Sequence, residues 1–298
     1  MSTQPLTARD FHPEVLRLFD QYVHGQIDRR GFLQGAGRYA ASAAGAAGLL
    51  AALSPQFAAA QQVPTDDPRI RSEYRELDSP QGYGKVRGYL SQPAAPDGPL
   101  PTVLVVHENR GLNPHIEDVA RRLALAGYIA FAPDALFTLG GYPGDEDAAR
   151  ALFPQLDQIK CREDFVAAAN WLRALEGSNG KLGAVGFCYG GAIVNLLATR
   201  VPELAAAAPY YGGPAPLDAV GQIKAELLVV LASDDERVNA TWPGYEAALT
   251  AAGVDFKLLQ PPDTLHGFHN DTTPRFNAAA AAEAWTQTLA LFERRLKG

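Results

Sequence analysis

The stretch "GFCYGG" at residues 186–191 has the spacing of a nucleophile elbow, with Cys188 at the central position. A nucleophile in such a turn sits between a strand and a helix, so glycines two positions before and two positions after it let these elements approach closely. The N-terminus of the following helix lowers the pKa of a thiol and offers backbone N–H groups to an oxyanion. The alternative is an ordinary glycine-rich turn that buries a small cysteine. The spacing alone therefore favours a nucleophile without establishing one.

A nucleophile needs a base and an acid that orients the base, and the chain supplies both downstream of Cys188 in the order acid, then histidine. Two histidines follow it: His266, in the loop "PPDTLHGFHN", and His269, the weaker candidate, which we expect to be a partly exposed loop residue. In "SDDERV" we favour Asp235 over its competitor Asp234, because a hydrophobic residue three positions later anchors such a loop. The sequence thus predicts a triad of Cys188, Asp235 and His266.

A third apolar run, "TVLVVHE", ends at Glu108 and is followed by Asn109. The backbone N–H groups of Asn109 and Tyr189 are candidates for an oxyanion hole. We expect Glu108 to face the thiol region, where a carboxylate can accept the S–H proton or gate its ionisation. The pair His107-Glu108 does not extend to H-E-x-x-H, so we expect no metal ligands, and no dinucleotide fingerprint or P-loop is present.

The elements that must position these residues alternate along the chain from about residue 70. Short apolar runs predict eight strands, at residues 70–77, 84–90, 102–108, 128–133, 182–187, 205–211, 226–232 and 255–261. Helical patterns fall between them, at about 115–126, 161–176, 190–200, 241–252 and 276–296. The first two strands alternate polar and apolar residues like an antiparallel edge, whereas the middle ones are apolar throughout like buried parallel strands. We therefore predict an α/β fold with three layers (αβα) and a mostly parallel, eight-stranded, doubly wound sheet.

Composition limits the classes of partner. The chain has 298 residues, of which 47% are hydrophobic, and this is enough for one large core. The net charge of −7 and the pI near 5.4 argue against nucleic acid or an anionic membrane as a partner. We expect the two cysteines, Cys161 and Cys188, to remain unbridged, because one disulfide would add little stability to a core of this size.

Residues 1–60 differ in character from the rest of the chain. Arg29-Arg30, then Phe-Leu, then the uncharged run of residues 40–53 and "AAA" at residues 58–60 resemble a twin-arginine (Tat) export signal with a cleavage site before Gln61. We expect the Tat machinery as a partner, a periplasmic location and no stable membrane anchor. The alternative is an Ala/Gly-rich leader that is disordered or helical. Residues 61–298 are then the catalytic domain.

Residues 70–298 resemble the dienelactone hydrolase family of the α/β-hydrolase fold, on the motifs "VVHENRGLNPHIEDVARRLALAGYIAFAPD", "GFCYGG", "YYGG", "ASDDERV" and "HGFHN". The resemblance implies a carboxymethylenebutenolidase-like ester hydrolase that opens an enol-lactone or related ester through a thioester, with no metal or organic cofactor. It also implies that Glu108 couples substrate binding to thiol activation. The family places an arginine four residues after the catalytic histidine, where this chain has Asn270, and Arg110 and Arg275 are candidates for a replacement anchor.

Several aromatic residues are candidates for the wall of a substrate pocket, although such residues more often belong to a core: Phe137, Tyr142, Tyr210, Tyr211 and Phe268.

Two other functions compete with that of a thiol-dependent hydrolase of a small-molecule ester or lactone. One is a non-catalytic α/β-hydrolase-like protein that binds a ligand, and it is disfavoured because every triad position is filled. The other is a redox-responsive thiol protein, and it is disfavoured because the sequence has no C-x-x-C pair.

Overall fold

In a computed structural model of the chain, which describes residues 6–40 and 42–298, one sheet of eight strands forms the centre of the molecule. The strands are β1 (Ile70–Ser79), β2 (Gly84–Pro93), β3 (Leu100–Val106), β4 (Ile129–Pro133), β5 (Ser178–Phe187), β6 (Leu204–Tyr210), β7 (Glu226–Val230) and β8 (Phe256–Leu259). Their spatial order is β1-β2-β4-β3-β5-β6-β7-β8. β2 pairs antiparallel with both β1 and β4, and every other pair is parallel. The expected mostly parallel sheet with an antiparallel edge is confirmed.

Helices follow most of these strands and cover both faces of the sheet. They are α5 (Pro114–Leu125), α6 (Glu146–Leu152), α7 (Gln158–Arg173), α8 (Tyr189–Arg200), α9 (Glu236–Asn239), α10 (Trp242–Ala251) and α11 (Ala278–Phe292). On β3, Val103 and Val105 face the core beneath α5 and α11, whereas Leu104 and Val106 face the core beneath α7 and α8. Because successive side chains of a strand point to opposite faces, both sides must be apolar, and the three-layer arrangement follows.

The N-terminal residues fold into a separate helical unit with a small core of its own. Its helices are α1 (Pro13–Val23), α2 (Arg29–Ala36) and α3 (Ala43–Leu53), and the short α4 (Phe57–Ala60) that follows them contacts α5. Val15, Phe19 and Tyr22 recur on one face of α1 and pack with the buried Phe32 of α2. The positions i, i+4 and i+7 are those of an amphipathic helix that buries one side.

No single helix in the described ranges is long and apolar enough to cross a membrane. Near the N-terminus, the helical segments Arg29–Tyr39 and Ala44–Ala60 are long and apolar enough for a membrane span only if they are counted together, although they are bent by 110° relative to each other. A signal sequence passes the same test. The predicted arginine pair forms the exposed first turn of α2, where Asp28 caps the helix by accepting a hydrogen bond from Gly31.

Candidate active site

Cys188 stands at the junction of β5 and α8 in a backbone conformation that favours glycine, with φ 55° and ψ −111°. Its amide donates to the carbonyl oxygen of Tyr210 at 3.0 Å, which fixes the turn against β6. The flanking glycines leave no room for a side chain. A Cβ on Gly186 would lie 2.3 Å from the Gly190 oxygen, and a Cβ on Gly190 would lie 2.1 Å from the Val106 oxygen. The turn therefore has the strained geometry of a nucleophile elbow.

His266 and Asp235 meet at the carboxyl ends of β7 and β8. The distance from His266 Nδ1 to Asp235 Oδ2 is 2.5 Å, and both side chains are buried. The other carboxylate oxygen of Asp235 accepts a hydrogen bond from the Val238 amide at 3.2 Å, as the N-cap of α9. This cap fixes the carboxylate, and the carboxylate fixes the imidazole, so that Nε2 is the ring nitrogen left for chemistry.

The competing acid, Asp234, is exposed, and its amide donates to the Thr264 oxygen at 2.9 Å. The structure therefore brings Asp235, and not Asp234, to His266. The nearest ring nitrogen of His266 lies within 4.8 Å of the Cys188 sulfur.

A second histidine, from the N-terminal helices, reaches the same thiol. His24 follows α1, and its Nε2 atom lies 3.6 Å from Cys188 Sγ and 3.3 Å from His266 Nε2. Its Nδ1 atom lies 2.8 Å from the Asp20 carbonyl oxygen and 3.3 Å from the Asp20 carboxylate. Two histidines, each backed by an aspartate, thus converge on one sulfur.

The N-terminal helices are docked over this site by polar contacts. The Val23 carbonyl oxygen accepts hydrogen bonds from Asn109 Nδ2 at 3.1 Å and from Arg110 Nη2 at 2.9 Å. On the neighbouring side, Asp147 at the start of α6 accepts hydrogen bonds from the hydroxyl of Tyr22 and from Arg29 Nη1. The side chains of Asn109 and Arg110 therefore bind backbone that the N-terminal helices supply.

Charges around the sulfur favour the thiolate. Burial raises the pKa of Cys188, but the charge of His266 and the hydrogen bond with His24 outweigh it and lower the pKa to about 5. Burial lowers the pKa of His266, but the thiolate and Asp235 overcome it and raise the pKa to about 10. The pKa of His24 is also raised, because Asp20 and Cys188 overcome its burial. These opposite shifts favour a thiolate beside an imidazolium.

Glu108 lies at the end of β3, where its Oε2 atom accepts a hydrogen bond from Asn270 Nδ2 at 3.1 Å. Asn270, at the position where the resemblance implies an arginine, thus holds this carboxylate. Neither backbone N–H of the expected oxyanion hole, at Asn109 and Tyr189, donates to another group within the described residues.

The candidate substrate-binding residues have different surroundings. Arg110 is buried and lies 3.7 Å from Glu146, to which the half-buried Tyr142 also donates through its hydroxyl. The Tyr211 ring lies 5.0 Å from that of His266, next to the triad. Phe268 is completely buried and packs edge-on against Tyr211, which is buried as well, and the role of both as substrate contacts stays a prediction.

Among the remaining pocket candidates, Tyr210 is also fully buried, with its hydroxyl 2.7 Å from that of Thr288.

The expectation that His269 is a partly exposed loop residue is wrong. Its ring is 3% exposed and stacks on Phe187 at 5.0 Å, because the loop after β8 folds back onto the core. Burial lowers the pKa of His269 to about 3, so the ring stays neutral. Cys161 and Cys188 are both free, in agreement with the expectation.

A cleft of about 1330 Å³ lies between α1 and the loop after β7, and it reaches the triad through His266 and Asp235. Arg275 lines the cleft, is 8% exposed, and has Nε and Nη1 atoms without a hydrogen-bond partner among the described residues. Its guanidinium lies over the Phe19 ring and 3.7 Å from Asp20. Both predicted replacement anchors, Arg110 and Arg275, therefore face the N-terminal helices.

A thiol on a strand–helix elbow, a His–Asp pair on the loops after the next strands and a doubly wound sheet together define an α/β-hydrolase. Comparison with known proteins makes the assignment specific. The model described as "Dienelactone hydrolase family" matches residues 86–296, and the chain belongs to that family. A second model, described as "YqhI-like", matches residues 3–41, which include His24.

Similar proteins agree with this assignment. The chain is 31% identical to the "Putative carboxymethylenebutenolidase" of Escherichia coli K12 over 262 residues, which cover 83% of this chain and 95% of that protein. A stretch of 105 residues is 59% identical to "Putative hydrolase fragment YghX" of the same organism and covers 35% of this chain and 90% of that one.

A crystal structure of a "Putative Dienelactone Hydrolase" from Klebsiella pneumoniae aligns with 75% of this chain and 99% of its own, at 30% identity and a TM-score of 0.66. The protein is thus a dienelactone hydrolase-like hydrolase.

Proposed function

We propose that the protein hydrolyses a small ester or lactone through an acyl-enzyme on Cys188, with His266 as acid and base and Asp235 as the group that orients it. The observation that carries this proposal is the strained elbow at Cys188, with φ 55°, beside a His266–Asp235 pair at 2.5 Å. Strained non-glycine residues of this kind cluster at active sites.

In the proposed reaction the Cys188 sulfur forms a bond with the carbonyl carbon, and the carbonyl oxygen takes up the negative charge. The free N–H groups of Asn109 and Tyr189 are the candidates to hold this oxyanion. When the carbonyl re-forms, the bond to the leaving oxygen breaks and His266 donates its proton to that oxygen. Neutral His266 then removes a proton from water, which cleaves the thioester and releases the acid.

The proposed role of Glu108 is to accept the thiol proton or to gate its ionisation according to what occupies the site. The hydrogen bond from Asn270 keeps this carboxylate at the strand end beside the elbow. Arg275, with unpartnered nitrogens in the cleft, is our candidate to bind a carboxylate on the substrate in place of the arginine that the family has at the Asn270 position.

We also propose that the substrate enters only when the N-terminal helices move. A reacting atom must come within about 3 Å of both the nucleophile and the ring nitrogen of the base. His24 Nε2, at 3.6 Å from the sulfur and 3.3 Å from His266 Nε2, stands at that point. The described conformation is therefore a closed one.

A panel of esters and lactones tests the chemistry. We expect hydrolysis that iodoacetamide abolishes and that is lost in Cys188→Ala. The matched control is Cys161→Ala, because Cys161 is the second thiol of the chain, is buried on α7 and is not one of the proposed triad residues. Hydrolysis that survives alkylation, or a Cys188→Ala variant with full activity, would refute the nucleophile. Rapid quenching with substrate and mass spectrometry should find the acyl group on the peptide that contains Cys188.

Export by the Tat machinery, with removal of residues 1–60, is part of the proposal. The exposed Ala58, Ala59 and Gln61 would be accessible to a peptidase. Removal would take His24 away from the thiol and open the site. Mass spectrometry of the protein recovered from a periplasmic extract tests this, since a new N-terminus at Gln61 supports export with cleavage and an intact N-terminus in the cytoplasmic fraction contradicts it.

A further inference from the structure

Cys188, His24 and His266 form a cluster of three donor atoms that suits a zinc ion. Zn²⁺ binds sulfur at about 2.3 Å and imidazole nitrogen at about 2.0–2.1 Å, so tetrahedral geometry separates a sulfur from a nitrogen by about 3.5 Å and two nitrogens by about 3.3 Å. The sulfur of Cys188 lies 3.6 Å from His24 Nε2, and the two Nε2 atoms lie 3.3 Å apart. All three donor atoms lie within 4.8 Å of one another.

The groups behind these ligands are those of a zinc site. A histidine that binds metal commonly donates its other ring N–H to a carboxylate or a backbone carbonyl, which fixes its orientation and makes it a better ligand. His266 Nδ1 lies 2.5 Å from the Asp235 carboxylate. His24 Nδ1 lies 2.8 Å from the Asp20 carbonyl oxygen and 3.3 Å from its carboxylate. Both Nε2 atoms therefore point toward the sulfur.

The surrounding charge can support a divalent cation. Negative charge comes from the cysteine sulfur and from two aspartates, Asp20 beside His24 and Asp235 beside His266. The opposing charges are Arg237, whose Nη2 atom lies 3.1 Å from His24 Nε2, and Arg275, whose Nη1 atom lies 3.7 Å from the Asp20 carboxylate. Because the Arg237 side chain is exposed, it can turn into solvent when a metal ion takes that nitrogen.

We infer that Cys188, His24 and His266 bind one zinc ion in the full-length chain, with the fourth position open to water, and that the ion fastens the N-terminal helices over the site. Binding replaces the protons on the two Nε2 atoms, which pass to the solvent. The zinc site rests on the positions of the three ligands and does not require turnover. If Cys188 is the nucleophile, as proposed above, the bound ion also stops hydrolysis.

The test uses the full chain, stripped with a chelator and kept reduced. Competition with a chromophoric chelator should give a stoichiometry of one zinc ion per chain. His24→Gln should weaken binding by more than about 100-fold, because even loss of a group behind a ligand costs 10–100-fold. Cobalt(II) should give a thiolate-to-metal absorption band in the near ultraviolet that Cys188→Ser removes. His12→Asn is the matched control, since His12 is an exposed N-cap on the same segment and should leave both results unchanged.

Two outcomes would overturn the inference. One is a stripped wild-type chain that takes up no zinc at micromolar concentration, and the other is a His24→Gln variant that binds zinc as tightly as the wild type. The assay also separates this inference from the proposed reaction. Zinc binding with the cobalt band, together with no ester hydrolysis by the same chain after the metal is stripped, would sustain the metal site and refute the function, whereas ester hydrolysis by a chain that takes up no zinc would do the reverse.

Discussion

Asp147 offers a way to open the site without touching the triad. It lies on α6 and binds both the hydroxyl of Tyr22 on α1 and Arg29 Nη1 on α2, the latter at 2.6 Å. Asp147→Ala removes both contacts and leaves Cys188, His266 and their partners intact. Because His24 follows α1 directly, weaker docking of α1 shifts the chain toward a state in which His24 has left the thiol. We therefore expect Asp147→Ala to raise kcat/KM.

The size of this effect follows from the two lost contacts. A hydrogen bond from a hydroxyl to a carboxylate contributes about 1.5 kcal/mol. The Arg29–Asp147 pair, with side chains 57% and 37% exposed, contributes about 0.5 kcal/mol after screening by solvent. Together these contacts amount to about 2 kcal/mol, or roughly a 30-fold change in the closing equilibrium. If the open form is rare in the wild type, kcat/KM should rise by that factor.

The assay compares kcat/KM on the best ester of the panel for the wild type, Asp147→Ala and the control Asp97→Ala, an exposed aspartate of the catalytic domain. Adding Tyr22→Phe to Asp147→Ala should produce no further increase, since both act through the same hydrogen bond. An unchanged or reduced kcat/KM in Asp147→Ala, with the thermal midpoint preserved, would show that docking of α1 does not limit access. The reasoning from the position of His24 would then be wrong.

Three further predictions concern the elbow and the acid. Iodoacetamide should label Cys188 and spare Cys161, because burial raises the pKa of Cys161 to about 12. Since the pKa of Cys188 is about 5, its labelling rate should be nearly constant from about pH 6 to 8 and should fall below pH 5. Equal labelling of both thiols would contradict this prediction. Asp235→Asn should lower kcat by about 10³–10⁴-fold while Asp234→Asn changes it little, and the reverse pattern would reassign the acid. Gly190→Ala should lower the free energy of unfolding by about 1–3 kcal/mol, measured by denaturant titration, because its Cβ would lie 2.1 Å from a strand oxygen.

Most of the sheet and the Cys188–His266–Asp235 geometry could be predicted from the sequence, because each depends on a local pattern and a regular topology. Apolar runs of strand length mark the buried strands, and repeated strand–helix units leave the loops that bear chemistry at one edge of the sheet. The choice of Asp235 over Asp234 followed from the residue that anchors the loop, Val238, whose amide the carboxylate binds. The burial of His269 could not be predicted from the sequence, because the composition of a loop does not show whether the loop folds onto the core.

The position of His24 could not be predicted, because it is 164 residues from Cys188 in sequence and reaches it only when one helical unit docks on another. The sequence nevertheless indicates that this segment folds. Val15, Phe19 and Tyr22 have the spacing of a buried helix face, and Pro13 stands at a helix start. These features identify an amphipathic helix in a segment whose composition resembles a signal, but they do not show what the helix covers.

The N-terminal segment connects the export prediction, the closed site and the zinc inference. While residues 1–60 are attached, His24 occupies the point that a reacting atom needs, and it completes a metal-ligand set with Cys188 and His266. Removal of the segment leaves only one cysteine and one histidine as metal ligands, and it also removes the imidazole that blocks the thiol. Closure and metal binding therefore depend on the same imidazole. A chain that keeps this segment should react slowly, at a rate set by how often His24 leaves the thiol, and a chain that loses it should have a free thiolate beside His266.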